Sequence, residues 1–261
     1  MEWKPCQKLQ PYIRCFWGSP QPYRPNAPDA LGLPEPEIVT PDTCVDIIFH
    51  IDYNSGRIEG NFFGIDDRTF VLKPAASDNR LVSTFAIRFY AWTAILFSEE
   101  SMSGSKNQYY ELGYHFSKLR QAIEPLLFDV NHMEERVRLA ERYLLNHLHT
   151  ERASSLFMDA VAQLLASRGN IRIGTLCREI HASSRQLERL FQEQAGISPK
   201  QLASLIRYQY LWRDILCNPH FQVLDAVQQY GYTDQAHLAR DFKRFHSLNI
   251  PQARAYAKKT V

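Results

Sequence analysis

Two short stretches of this chain carry side chains suited to reading a nucleic acid. Ser184, Arg185, Glu188 and Arg189 lie in the first, and Gln235, Ala236, His237, Ala239 and Arg240 in the second. Arginine can pair bidentately with the edge of guanine and glutamine with adenine, while alanine can meet the thymine methyl. Lys243 and Arg244 follow further along, where a cation meets phosphates more readily than bases. Underneath runs a repeat: Leu187-x-Arg189-x-Phe191 recurs as Leu238-x-Arg240-x-Phe242, 51 residues further on.

The apolar spacing predicts the elements that position these residues. Leu176 and Ile180 mark a short helix, His181-Ala182 a turn, and Ser183 the cap of a second helix whose stripe is Leu187, Leu190, Phe191 and Ala195. Gly196 ends it. In the second unit Val223, Leu224 and Val227 form the bracing helix, Tyr230-Gly231-Tyr232 the turn, and Asp234 the cap, with Leu238, Phe242 and Phe245 facing inward. Ser198-Pro199 opens a joining helix that Asn218-Pro219 stops. About 20 residues at ~1.5 Å each span ~30 Å, close to the ~34 Å between successive major-groove faces of B-DNA. One chain could thus set both reading helices on one side of a duplex. A Leu-x-x-x-Phe stripe alone is ordinary helix core; two copies in matching register with a connector of this length are not.

Charge supports the same reading. Of the net +2, residues 171–261 carry +6 and residues 1–170 carry −4, a basic end suited to a polyanion.

Upstream the pattern differs. Nine of the 14 prolines fall in the first 41 residues, predicting an irregular or edge-strand lead-in. Thr43–Ile51, Asn61–Ile65, Thr69–Lys73 and Leu81–Tyr90 are strand-like, pointing to a small antiparallel barrel or sandwich. From about residue 114 the period turns helical, with Met133, Val137, Ala140, Leu144, Leu145 and Leu148 in one helix and Leu156, Ala160, Val161, Leu164 and Leu165 in a second, ending at Arg168-Gly169-Asn170. The expected class is α+β. It comprises a β-rich regulatory domain (1–113), a helical connector (114–170) whose Met133–Leu148 helix is a candidate homodimer surface, and an all-α domain of two helix-turn-helix units (171–261).

Residues 171–261 resemble the AraC/XylS family of transcriptional regulators. The most specific segment runs from Ala226 to Phe245, with its Tyr230-Gly231-Tyr232 turn and Asp234-Gln235-x-x-Leu238-x-Arg240-x-Phe242-Lys243; Arg185–Phe191 and Gly196-Ile197-Ser198-Pro199 fit the first unit. Pro11–Trp17, Cys44–Phe49 and Ile87-Arg88-Phe89 are similar, more weakly, to the sensor-like domain of one branch. The resemblance implies a bacterial, cytoplasmic regulator of double-stranded DNA with a bipartite operator, often an activator that recruits RNA polymerase, and an N-terminal domain that can take a small-molecule effector. Three departures stand out: His181 where the first turn has glycine, Cys177 for a small alanine, and His246-Ser247-Leu248-Asn249-Ile250-Pro251, which lacks a glycine and is one residue longer.

Other functions fare worse. A cupin-like oxygenase needs two histidines and a carboxylate converging from strands, and His50 stands alone before His115. His147 and His149, two apart on a helix, face different ways. No nucleophile elbow or phosphate loop occurs, so no catalytic residue, cofactor or metal is expected. Five scattered cysteines without a Cys-x-x-Cys pair predict reduced thiols. Cys15 or Cys44 would serve a redox sensor only if exposed near positive charge. The N-terminus shows no basic start before an apolar run, and no segment is apolar for long enough to span a bilayer. For an effector pocket, Phe62, Phe63, Phe89 and Trp92 are the aromatic candidates, Phe89 and Trp92 foremost, although most of them could simply fill the barrel and leave this domain a protein-contact role without a ligand.

Overall fold

The computed structural model describes residues 1–24, 37–72 and 80–260, with the side chains of residues 37, 72, 259 and 260 excepted. Eight strands come first: β1 (Glu2–Trp3), β2 (Ile13–Gly18), β3 (Glu37–Val39), β4 (Cys44–Asp52), β5 (Arg57–Phe63), β6 (Phe70–Leu72), β7 (Val82–Tyr90) and β8 (Tyr109–Glu111). Six of them form one antiparallel sheet in the order β1-β2-β7-β4-β5-β8, and β3 pairs with β6 as a separate ribbon.

The sheet has two unlike faces because strand side chains alternate. Val45, Ile47, Phe49 and Ile51 of β4 are buried together with Phe85, Ile87 and Phe89 of β7. On this side lie α1 (Ser117–Ile123) and α2 (Met133–Asn146), whose Leu119, Ile123, Met133, Val137, Ala140 and Leu144 join the same core. On the opposite face Asp46 stands directly across from Arg88, Ile48 from Ala86 and His50 from Thr84, an opposite-charge cross-strand pair in an otherwise mixed row.

The proline-rich lead-in departs from expectation at one place. Residues 13–18 form an inner strand, hydrogen-bonded to β7 on one side and to the two-residue β1 on the other. Pro11 and Pro20 flank this strand rather than interrupt it, so no ladder donor is missing. The expected lead-in over residues 25–36 lies outside the described residues, as does the Lys73 end of the expected third run.

Arg136 of α2 is the largest fully buried side chain. Its guanidinium donates to Val130 O at 2.8 Å, to Tyr53 Oη at 2.8 Å and to Ser83 Oγ, with no carboxylate among these partners. Burial accordingly lowers its pKa. This side chain pins the helix layer to the ends of β4 and β7. The apolar stripe of α2 therefore faces inward, leaving a charged outer face with Leu145 exposed on it.

α3 (Ser155–Ala166) is capped by Ser154, which accepts from Phe157 N. Arg168 and Gly169 follow with positive φ. Then come α4 (Ile173–Glu179), α5 (Ser184–Ala195), α6 (Pro199–Cys217), α7 (Val223–Gln229), α8 (Gln235–His246) and α9 (Ile250–Thr260). The chain is thus an N-terminal antiparallel sheet domain followed by a helical helix-turn-helix domain.

Candidate nucleic-acid interface

Both candidate reading helices begin on a side-chain cap. Ser183 accepts from Gln186 N at 3.1 Å and Asp234 from His237 N at 2.7 Å. The caps satisfy amides that the first helical turn leaves without partners, which fixes where each helix starts and hence which residues point outward.

In α5, Leu187, Leu190, Phe191 and Ala195 are buried, while Ser184, Arg185, Glu188 and Arg189 are exposed. Arg189 is tethered by Glu193 one turn on, at 3.2 Å. In α8, Leu238, Phe242 and Phe245 are buried, and Gln235, Ala236, Ala239, Arg240 and Lys243 are exposed. His237 is half-buried: its ring meets the edge of Tyr232, and Nδ1 accepts from Thr233 N, so only the Nε2 edge faces outward. Arg244 is exposed but held, 3.1 Å from Asp241 and stacked over Phe245.

α6 is 19 residues long and closes its start with a reciprocal capping box between Ser198 and Gln201. At ~1.5 Å per residue it spans ~28 Å, a length comparable to the ~34 Å of one turn of B-DNA.

The turns keep the two units alike. Gly231 has φ +66°, and a Cβ there would sit 1.9 Å from Asn170 Oδ1. His181, which replaces glycine in the first turn, nonetheless adopts the left-handed conformation with φ +54°. The departure is absorbed as backbone strain rather than as a new turn shape. The longer segment after Phe245 ends α8 at His246, with Ser247 taking the left-handed position that glycine would fill. Beneath it His246 is buried against Tyr208 Oη at 3.0 Å, and burial pushes its pKa down to about 4.

The sheet domain grips the first unit directly, which the local pattern did not signal. Met102 N donates to Glu193 O at 2.8 Å, Ser101 Oγ to the same carbonyl at 3.0 Å and Ser103 Oγ to Gln192 O at 3.2 Å. Both carbonyls lie in the last turn of α5, where helical partners run out; that of Gln192 also accepts from the Gly196 cap N–H at 3.1 Å. A Cβ on Gly196 would lie 2.6 Å from Met102 O, so glycine serves both the cap and the close approach. A serine-rich stretch (Ser101, Ser103, Ser105) was the available signal.

Of the aromatic pocket candidates, Phe89 is corrected. It is fully buried, packed against Phe97 and Phe116 in the core. Phe62 is likewise core, against His115 and Phe116. Trp92 lines a groove of about 590 Å³ between the domains, with Tyr90, Tyr210 and Arg213. Phe63 borders a second cavity, on the polar face of the sheet. The thiol-sensor alternative is corrected too. Cys15 and Cys44 are buried; burial raises Cys15 to about 11 and Cys44 well above its ordinary value, so both are held as thiols.

Two capped, outward-facing helices on a common brace define a DNA-binding helix-turn-helix protein of the transcription-regulator class. Residues 176–255 match the family described as Helix-turn-helix domain, and residues 1–111 match a Domain of unknown function (DUF6597). The helix-turn-helix match covers the helical domain, whose residues carry the resemblance to the AraC/XylS family. Among solved structures it is similar to unsaturated fatty acid-bound ToxT from Vibrio cholerae, at 10% identity, covering 91% of this chain and 94% of that one, with a TM-score of 0.43. The DNA-binding domain of AdpA in complex with a target DNA is 20% identical over 41% of this chain and 96% of that one, with a TM-score of 0.37. A probable AraC family regulator from Rhodopseudomonas palustris is 25% identical over 40% of this chain and 98% of that one, with a TM-score of 0.34. No curated protein matches the chain. Among the described residues no helix is long and apolar enough to cross a membrane.

Proposed function

We propose that the protein binds a bipartite operator with α5 in one major groove and α8 in the next, and that it regulates transcription in response to a small molecule taken up by the sheet domain. Arg185, Glu188 and Arg189 read the first half-site; Gln235, His237 and Arg240 read the second, with Ser184, Ala236 and Ala239 against the base edges. Lys243 and Arg244 meet phosphates. The observation that carries this reading is the matched pair of exposed faces, each started by a side-chain cap and joined by the 19-residue α6. His237 reads through Nε2, since Nδ1 is held by the backbone.

Activation by recruiting RNA polymerase is part of the proposal, supported by the resemblance of residues 171–261 to AraC/XylS regulators. So is the division into 1–113, 114–170 and 171–261, supported by the change from strands to helices and by the positive φ values at Arg168 and Gly169. A homodimer through α2 would have to use its charged outer face around Leu145, since the apolar stripe is buried within the chain.

The test is selection from random duplexes by the full-length chain at near-physiological salt. Two short conserved blocks about one helical turn apart are expected. A single block would assign reading to one unit alone, and no enrichment would remove the operator reading.

A further inference from the structure

The polar face of the six-stranded sheet and the β3–β6 ribbon enclose a cavity of about 630 Å³. Val39, Ile48, Phe63 and Phe70 supply apolar wall, and Trp17 adds an indole. The charged groups are unevenly matched. Asp42 is satisfied: Arg88 lies 2.5 Å from one carboxylate oxygen, and Cys44 N donates to the other at 2.8 Å. Asp46 takes the Trp17 indole N–H at 2.8 Å but stands 3.9 Å from Arg88, which is already engaged. Asp66 has no hydrogen-bond or ion-pair partner among the described residues, although it is partly buried. The lining thus sets the Arg88 guanidinium and the Met1 N-terminus, which donates to Gly18 O, against four carboxylates (Glu2, Asp42, Asp46 and Asp66), and His50 on the same wall is pushed toward its neutral form by burial.

We propose that this cavity binds an organic cation, an ammonium or amidinium group carried on an apolar body, with Asp66 and Asp46 receiving the charge and Trp17, Phe63 and Phe70 the apolar part. The inference rests on the effector reading above and names the class of effector. An anionic ligand would face the unneutralised carboxylates across a low-dielectric wall. A bare metal ion is disfavoured by the apolar lining, and among the described residues no three carboxylate, histidine or cysteine groups are placed to hold one. An N–H-bearing cation satisfies what the cavity leaves open, because charge-assisted hydrogen bonds to a partly buried carboxylate are the stronger kind. Asp66 bears the cost of standing unpaired there: burial and the neighbouring Asp67 push its pKa up to about 6, against the pull of Arg68. An aromatic wall beside a carboxylate is also how proteins hold ammonium groups, since the ring face attracts the cation.

The position suits a regulatory ligand. Thr40 and Asp42 line the cavity, Thr40 also reaches Tyr208 of α6, and Thr43 between them and Cys44 bonds to Gln209 of α6. The wall that would close on the ligand is therefore the wall that touches the DNA-reading domain.

The test is calorimetric titration of the full-length protein with primary amines from butylamine to tryptamine. Shape-matched controls are 2-phenylethanol and 3-phenylpropionate beside 2-phenylethylamine. The amine should bind about tenfold or more tighter than the alcohol, as expected for a hydrogen bond to a charged group, and the carboxylate should not bind. Asp66→Asn should bring amine affinity down toward that of the alcohol while leaving the melting temperature and alcohol binding unchanged. Ile48→Trp, which fills the cavity, should abolish both. Binding of no amine, preference for the carboxylate, or amine affinity unchanged in Asp66→Asn would each overturn the assignment. Duplex binding measured in parallel separates the two readings: DNA bound without any amine removes only this inference, and amine bound without DNA removes only the operator reading.

Discussion

The hydroxyl of Thr43, at the start of the sheet's central β4, donates to Oε1 of Gln209 in the middle of α6, at 2.9 Å. This bond joins the sheet domain to the helix that spaces the two reading units. Its neighbours reinforce it: Gln201 at the other end of α6 donates to Asp67 at 3.4 Å, and Tyr256 of α9 accepts from Ile38 N at 2.9 Å. Anything that shifts residues 38–44 is felt along α6.

Removing that bond should loosen the domains without unfolding either. Thr43→Val is expected to cost ~1 kcal/mol, the net worth of a hydrogen bond between neutral groups. Hydrogen exchange should report faster exchange in α6 while the β4 and β7 amides remain protected. Equal slowing or speeding of both would show that Thr43 acts on the sheet alone.

Base reading and phosphate contact have separable signatures. Arg240→Ala should weaken binding to the selected operator by ~1–3 kcal/mol and relax preference at one base pair. Lys243→Ala should weaken binding evenly across sequences and lower the slope of log affinity against log salt by about one. Operator titrations at three salt concentrations check both, and unchanged site preference in the arginine variant would remove that assignment.

His246 makes stability of the C-terminal domain depend on pH. Its folded pKa, about 4, lies below the ordinary value of 6.5, so between those values the unfolded chain binds more protons. Stability is therefore complete above about pH 6.5 and falls as pH drops, by ~2 kcal/mol at pH 5. His246→Gln should flatten this part of the profile, measured by urea unfolding between pH 5 and 7.5. A wild-type curve already flat there would contradict a neutral, buried imidazole.

Arg136 stabilises through one hydrogen bond from each guanidinium nitrogen rather than by being paired with an opposite charge. Arg136→Ala leaves Ser83 Oγ and Val130 O without their buried donor and opens a void, at a cost of ~3 kcal/mol or more. Arg136→Met keeps the aliphatic stem and should recover part of the loss. Thermal unfolding of the two variants gives the order directly; an alanine variant as stable as wild type would mean the buried guanidinium gives no net stabilisation.

The C-terminal domain was legible in the sequence because its determinants are local. Ser183, Asp234 and Ser198 cap the helices that follow them within three residues, and the Leu187 and Leu238 stripes recur within one turn, so helix starts and outward faces follow from spacing alone. Even the His181 and Ser247 departures are settled locally, each taking the left-handed turn that the motif demands. The sheet domain was legible only as strands. Asp46 meets Arg88, and Cys15 and Trp17 reach β7 from some 70 residues away, pairings that alternation along one strand cannot specify. Which aromatics would fill the core and which would face a cavity was likewise undecided until the helices covered one side of the sheet: Phe89 went inward and Phe63 outward. Sequence by itself determined where the capped helices start and which side chains they expose. Tertiary structure alone decided what the sheet encloses and which of its residues touch α6, because those contacts exist only once distant segments have been brought together.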